Sequence, residues 1–351
     1  MSDKSPNTES AGCRRGVLCG MTPAELQEVC AQLGLPRFTA GQIARWIYRR
    51  GVASFGEMSD ISVRNRELLA ERFDLGFSAP VREQTSADGT KKYLFRTAAG
   101  DAVESAYIPD GERATLCVSS QAGCRMGCRF CATGRLGLHG QLTAADILNQ
   151  IVSLPERERL TNVVFMGMGE PLDNLGSVLR ALEAMTSEWG FGWSPTRITV
   201  STAGIASQLA RFLDSTQVHL AVSLHNPFSD ERAEIMPVER AYPIAGVVDI
   251  LRRYDFTHQR RVSFEYIVMS GLNDSPRHIN GLCRLLNGIR CRINLIRFHK
   301  IPGSPYFSPD EKAMLRFRDT LTSRGIMTTI RASRGEDIQA ACGLLSANQS
   351  E

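Results

Sequence analysis

Residues 114–131 read Ala-Thr-Leu-Cys117-Val-Ser-Ser-Gln-Ala-Gly-Cys124-Arg-Met-Gly-Cys128-Arg-Phe-Cys131. The first six have the mixed apolar and β-branched character of a strand. The remainder sets three cysteines at C-x3-C-x2-C spacing on the loop behind it. A strand that delivers reactive side chains just past its C-terminal end is the repeating unit of an α/β barrel. Further strand patterns follow at 162–166, 197–201, 218–224, 262–268, 292–297 and 327–331. Helical periodicity fills most of the gaps, near 143–153, 175–187, 204–213, 244–254, 275–287 and 310–324. Alternation of this kind implies parallel strands joined by crossovers. Six or seven such units are too few for a closed eight-fold barrel, and no GxGxxG follows the first strand. The expected fold is α/β, a partial, open (β/α)6 barrel with its chemistry at the strand C-termini.

Upstream, Thr22-Pro23-Ala24-Glu25 is a helix start with an N-cap, a first-turn proline and a capping-box acid. Two more helical stretches, about 40–50 and 63–73, complete a small helical unit over 21–75. Residues 92–96 and 102–108 read as a hairpin around Ala98-Ala99-Gly100. The expected organisation is a tail at 1–20, a helical accessory domain that binds RNA at 21–75, a linker and hairpin at 76–112, a catalytic core at 113–346 and a short tail at 347–351.

The chain has 351 residues, 43% hydrophobic and 22% charged, which excludes disordered, collagen-like and fibrous classes. No apolar run reaches the roughly 18 residues of a membrane span. The polar start, MSDKSPNTESAGCRRG, has no signal-peptide apolar region, so a cytoplasmic protein without membrane contact is expected. Ten cysteines in a chain this long are too sparse for a disulfide scaffold and point to metal or catalysis. Cys30, Cys283 and Cys291 read as small buried hydrophobes, and Cys13 and Cys19 as exposed and idle. The net charge of +4 hides three acid-free basic segments. One runs from Gly34 to Gly56, with Arg37, Arg45, Arg49 and Arg50 interleaved with Phe38, Trp46 and Tyr48. Another runs from Cys283 to Pro309, with Arg284, Arg290, Arg292, Arg297 and Lys300. The third spans Arg113 to Ala145 and holds Arg125, Arg129 and Arg135. Such segments suit phosphates, and the aromatics suit splayed bases, although solvated helix faces often look the same.

Three thiolates on one short loop can hold three irons of a cubane cluster and leave the fourth open, whereas full ligation takes four cysteines. Arg125 and Arg129 offset the thiolate charge in this reading, and Gly123 and Gly127 let the backbone wrap. The alternative is structural zinc, which takes four closed ligands, with His139 or Cys117 as the fourth. An open iron can bind the amino and carboxylate groups of S-adenosylmethionine, whose reductive cleavage yields a 5′-deoxyadenosyl radical. Later strand ends carry further polar and glycine-rich turns. They are Gly167-Met168-Gly169-Glu170-Pro171, Ser201-Thr202-Ala203-Gly204, Ser223-Leu224-His225, and Asn294 inside the sixth strand. Each alone has an ordinary reading as a turn, a cap or a satisfied core residue; their succession favours a cofactor site. Cys342, between Gly335 and Gly343, suggests an approachable bent loop.

Taken in order, the Cys117-to-Cys131 run, GMGEP, VSTAG, SLH, INLIRFH and TIRASRGEDIQAACG resemble one family over about residues 21–346. It is the bacterial dual-specificity adenine-C2 methyltransferases of the radical S-adenosylmethionine superfamily. The resemblance implies a 4Fe–4S cluster on Cys124, Cys128 and Cys131, with two S-adenosyl-L-methionine molecules used per turnover. It implies that Gly169, Glu170, Ser201, Ser223, Leu224, His225 and Asn294 bind the cofactor. It implies that Cys342 carries the methyl group as S-methylcysteine, that Cys117 releases the product through a Cys117–Cys342 disulfide, and that Glu104 accepts a proton. The implied substrates are adenosines of 23S rRNA, at the peptidyl-transferase centre, and of tRNA. An electron donor such as flavodoxin or ferredoxin and a monomeric state complete the expectation. A relative that methylates adenine C8 and confers antibiotic resistance shares the cysteines; Gly-Glu-Pro171-Leu-Asp-Asn resembles the C2 enzymes more. Two other readings stay open: a radical enzyme on a small molecule or protein, and a zinc-stabilised nucleic-acid-binding module.

Overall fold

The parallel strands are built from residues that alternate between two destinations. In the computed structural model, which describes residues 15–257 and 261–347, the strands are β1 (Gly16–Val17), β2 (Phe73–Asp74), β3 (Arg82–Thr85), β4 (Lys91–Arg96), β5 (Ala102–Asp110), β6 (Arg113–Cys117), β7 (Gln121–Cys124), β8 (Gly137–Gln141), β9 (Asn162–Phe165), β10 (Ile198–Thr202), β11 (His219–Ser223), β12 (Val262–Val268), β13 (Cys291–Arg297) and β14 (Met327–Ile330). The helices are α1 (Pro23–Gln32), α2 (Thr39–Ala44), α3 (Val63–Arg72), α4 (Ala132–Leu136), α5 (Ala144–Val152), α6 (Leu175–Thr186), α7 (Ala206–Ser215), α8 (Ser229–Ile235), α9 (Ile244–Leu251), α10 (Pro276–Leu285) and α11 (Glu311–Ser323). Ten strands form one sheet in the order β14-β13-β12-β11-β10-β9-β6-β5-β4-β3. From β6 to β14 every pairing is parallel, and from β6 back to β3 every pairing is antiparallel. The expected partial barrel is therefore present, extended by a three-stranded meander on the β6 side.

Strand side chains alternate faces. Phe264 and Tyr266 of β12, Ile293 and Leu295 of β13, and Ile198 and Val200 of β10 enter the main apolar core. Their neighbours Ser263, Glu265, Asn294, Thr199 and Ser201 face an inner cavity. Helix starts are capped by side chains: Thr22 and Thr143 form capping boxes with Glu25 and Asp146, and Asp310 accepts from the Ala313 N–H.

The helical unit shares that core, since Leu26, Ile43 and Leu69 belong to the same cluster as Ile147 and Val178. Residues 15–20 belong with this unit rather than with a tail. β1 pairs in parallel with β2, and Leu18 and Cys19 are buried. The expectation that Cys19 is exposed is thus corrected; burial, then the Asp146 charge, raise its thiol pKa far above the ordinary value. Cys13 lies outside the described residues. Cys30 is buried, while Cys283 and Cys291 are only half-buried. The sequence reading missed β1, β2, β3, β7, β8, α4 and α8. Arg82-Glu-Gln-Thr85 is an edge strand and mostly exposed, so it carries no apolar alternation. The β7–β8 ribbon contains three glycines that weaken any strand signal.

Candidate active site

A cavity of about 720 Å³ runs along the inner face of the parallel strands, within the range of small-molecule and cofactor sites. Cys117, Cys124, Cys128, Cys131 and Cys342 all line it. So do Gly169, Glu170, Ser201, Ser223, His225 and Asn294. Two expected site residues, Leu224 and Glu104, do not line it.

The three-cysteine loop leaves β7 at Cys124 and enters α4 after Cys131. Gly123 makes this entry possible. Its φ is +77°, and a Cβ there would lie 2.0 Å from the Gly137 carbonyl oxygen of β8. Burial pushes the Cys124 thiol up to about 12. Burial also pushes the Cys128 thiol up, and the neighbouring Cys131 and Cys124 add to it. The cation that opposes this at Cys128 is Arg232. Neither Arg125 nor Arg129 fills that expected role: Arg125 pairs with Asp173 at 2.8 Å and Arg129 with Glu234 at 3.8 Å.

Arg232 is the residue that the sequence reading missed. It is fully buried, paired with the buried Glu239, and donates to the carbonyls of Ala203, Ser223 and Leu224 at 2.7–2.9 Å. It thereby ties the ends of β10 and β11 together beside the cysteine loop. A charge inside a polar, charged helix start, Ser-Asp-Glu-Arg, offers no local sign of burial. Glu265 was also missed, although a carboxylate in the middle of the apolar run 262–268 was a readable signal. It accepts from Asn294 at 2.8 Å and pairs with Arg331 at 2.9 Å.

Glu170 is buried and accepts from Thr202 Oγ1 at 2.6 Å, the Ala203 N–H at 2.7 Å and the Leu172 N–H at 3.0 Å. Burial outweighs these donors and pushes its pKa up to about 7. The glycines before it serve the chain's own packing. A Cβ on Gly167 would lie 2.7 Å from the Val118 oxygen, and one on Gly169, at φ +100°, 2.6 Å from the Gln121 Cβ. His225 sits at φ +55°, with its carbonyl held by Asn273 at 2.7 Å. Its Nδ1 accepts from the Ile267 N–H at 3.0 Å, so the proton of the neutral ring is on Nε2. Burial, reinforced by Arg232, lowers its pKa to about 3 and keeps it neutral. Its ring meets Phe130 of the cysteine loop edge-on at 4.6 Å. Leu224 is buried in the core, where its N–H donates to the Glu265 carbonyl at 2.9 Å. Asn294 has both ends of its amide engaged, by Glu265 and by Thr329 Oγ1, each at 2.8 Å.

Cys117 ends β6 and packs with Ala106 and Ala340. Burial pushes its thiol up to about 12. Cys342 arrives from the far end of the chain on the segment after β14 and keeps solvent contact. Protein crowding its sulfur raises the pKa to about 11, with the Arg331 charge pulling the other way. Both are free thiols. Glu104 pairs with Lys92 at 3.0 Å and accepts from the Ser346 N–H at 2.9 Å. This position, off the cavity wall, suits holding the Cys342 segment better than taking a proton from a substrate.

Among the described residues, no three His, Cys, Asp or Glu side chains converge on one ion, and His139 is exposed outside the cavity lining. Structural zinc gathers four ligands around a single ion, whereas a cubane spreads its thiolates over separate irons. Three thiols facing one cavity, Cys124 buried and Cys128 and Cys131 half-buried, fit the cubane.

The basic segments are partly neutralised in space. Arg45 pairs with Asp60 at 3.3 Å, and Arg297 pairs with Glu311. Tyr48 is fully buried and not available to a base, while Phe38 is 70% exposed. On the loop after β13, Phe307 is 61% exposed with Lys300 5.5 Å from its ring.

A three-thiol loop opening onto a partial parallel barrel defines the radical S-adenosylmethionine class, and residues 118–280 match the Radical SAM superfamily. Residues 17–75 match the ribosomal RNA large subunit methyltransferase N-terminal domain. The chain is 56% identical over 334 residues to a probable dual-specificity RNA methyltransferase RlmN of Bacteroides fragilis, covering 95% of this chain and 97% of the relative. It is 44% identical to the dual-specificity RNA methyltransferase RlmN of Syntrophobacter fumaroxidans, covering 93% and 96%. A crystal structure of a radical SAM methyltransferase from Sphaerobacter thermophilus superposes with a TM-score of 0.90 at 42% identity, covering 95% of this chain and all of that one. The chain belongs to the RlmN family of dual-specificity RNA methyltransferases. Membership in the radical class implies a 4Fe–4S cluster and S-adenosylmethionine.

Proposed function

We propose that this protein methylates C2 of an adenosine in 23S rRNA and in tRNA, with Cys342 as the methyl carrier. One observation carries the reading. Cys117 and Cys342, 225 residues apart in the chain, line the same cavity as Cys124, Cys128 and Cys131. C2 of adenine is an electron-poor ring carbon and does not attack a sulfonium directly. A thiolate does. The Cys342 thiolate attacks the methyl carbon of S-adenosylmethionine, forming the S-methyl thioether and displacing S-adenosylhomocysteine. Cys124, Cys128 and Cys131 would hold the cluster, which would supply the electron for cleaving a second S-adenosylmethionine to methionine and a 5′-deoxyadenosyl radical. Glu170 and the Nε2–H of His225, which both line the cavity, would orient that cofactor. The 5′-deoxyadenosyl radical would take a hydrogen atom from the Cys342 S-methyl, giving 5′-deoxyadenosine. The methylene carbon would add to C2, and one electron and the C2 proton would then be lost. Cys117 would attack the Cys342 sulfur as the departing carbon takes up a proton. The carbon–sulfur bond breaks, the methylated base leaves, and a Cys117–Cys342 disulfide remains for an external reductant. Phe307 and Lys300, on the loop after β13, offer a stacking and phosphate-binding surface for an adenosine turned out of its stack.

The test is anaerobic turnover on both RNAs followed by nucleoside mass spectrometry. The expected product is 2-methyladenosine from each, absent for Cys342→Ala while iron content is unchanged. A methyl on C8, or full activity of Cys342→Ala, would overturn the assignment.

A further inference from the structure

The segment that carries Cys342, residues 332–346, contains no helix or strand. Four consecutive residues near its start are nevertheless each gripped by another part of the molecule. Arg334 pairs with Asp110 at the end of β5, at 3.0 Å. The Gly335 N–H donates to Asp88 at 2.9 Å. Glu336 faces His299 beyond β13 at 3.3 Å. Asp337 accepts from Ser86 Oγ at 2.5 Å and from the Ala87 N–H at 3.2 Å. Ser86, Ala87 and Asp88 belong to the turn between β3 and β4, closed by Ser86 N–H to Thr90 O at 2.8 Å and by Thr90 N–H to Asp88 at 2.9 Å. The grip is reciprocal: a turn carboxylate holds a segment amide, and a segment carboxylate holds a turn amide and hydroxyl. Gly335 sits at φ +63°, and a Cβ there would meet Thr90 at 2.8 Å and Ala340 at 2.9 Å, so the approach admits no side chain.

The other end is held as well. Ser346 N–H bonds to Glu104, Thr133 Oγ1 to Leu345 O at 2.6 Å, and Ala132 N–H to Gly343 O at 2.8 Å. Between the two anchors, Ala340 packs on Cys117 and Cys342 lines the cavity. An irregular segment has large conformational freedom to lose, and here side-chain bonds rather than secondary structure restrain it. We infer that the 86–90 turn is a latch for the Cys342 segment, with Asp88 and Asp337 as positioning residues that keep Cys342 within reach of both the cavity and Cys117. This deepens the reading of Cys342 as methyl carrier and rests on it.

The test compares Asp337→Ala and the Asp88→Ala/Asp337→Ala pair with Glu83→Gln, a change on the neighbouring strand, all as anaerobic holoenzyme. Amide hydrogen exchange over residues 338–346 and alkylation of Cys342 by iodoacetamide are read by peptide mass spectrometry. Neither needs RNA or methyl transfer. Both rates are expected to rise about tenfold, as loss of charged hydrogen bonds implies, while Cys283 alkylation and Tm stay constant and Glu83→Gln behaves as the unsubstituted protein. RNA methylation should lose kcat at unchanged KM, and Gly335→Ala should reproduce the pattern. Unchanged rates at 338–346, or a rise shared by Cys283, would overturn the latch. Faster exchange with undiminished methylation would support the latch and overturn Cys342 as the carrier.

Discussion

Glu170 shows how one buried side chain couples the site to pH. Its pKa of about 7 lies above the ordinary 4.5 because burial disfavours the carboxylate more than three donors favour it. Between those values the folded chain keeps a proton that the unfolded chain has lost. Its contribution to stability is therefore greatest at low pH and declines as pH rises through this window. In its proposed cofactor-binding role the dependence runs the opposite way, since only the carboxylate would accept from the amino group of S-adenosylmethionine. Affinity measured by anaerobic calorimetry should weaken as pH falls below about 7, by up to tenfold per pH unit, and Glu170→Gln should flatten the profile. A flat profile in the unsubstituted protein would count against the role. The residue type and strand-end position of Glu170 were legible in Gly-Glu-Pro, but its pKa was not, because desolvation depends on neighbours from other strands.

At the scale of elements, the β7–β8 ribbon holds the cysteine loop, and Gly123 is its tightest point. An alanine there must accept both a left-handed backbone and a collision with the Gly137 carbonyl. A cost of about 1–3 kcal/mol of local strain is expected, spent on opening the ribbon. Gly123→Ala should purify anaerobically with reduced iron content and visible absorbance, whereas Gly41→Ala, in α2 with open space around it, should match the unsubstituted protein. Normal iron loading of Gly123→Ala would refute this. The strands of the parallel sheet were legible because buried parallel strands carry sustained apolar runs. β3, β7 and β8 were not, because polar edge strands and glycine-rich ribbons lack that signature.

For the whole molecule, the helical unit is fastened to the barrel by specific contacts. The Arg157 guanidinium donates to the Tyr48 carbonyl at 2.9 Å and lies 5.7 Å from the Phe191 ring, while Tyr48 meets Trp189 edge-on at 5.2 Å. Arg157→Ala removes a charged hydrogen bond of about 1.5–3 kcal/mol. Limited proteolysis in the 76–81 connection should accelerate, and RNA methylation should fall, while RNA-independent cleavage of S-adenosylmethionine persists. Unaltered proteolysis would show that the unit is fastened by its shared core alone.

The sequence by itself determined the alternation of strands and helices, the three-cysteine loop and the motifs at successive strand ends, because each depends on residues a few positions apart. Tertiary structure alone decided which cation faces Cys128, where Glu104 points, that Cys19 and Tyr48 are buried, and how the Cys342 segment is latched to the β3–β4 turn. Those outcomes join residues tens to hundreds of positions apart. Register and burial, which bring them together, are properties of the whole folded sheet and leave no local pattern to read.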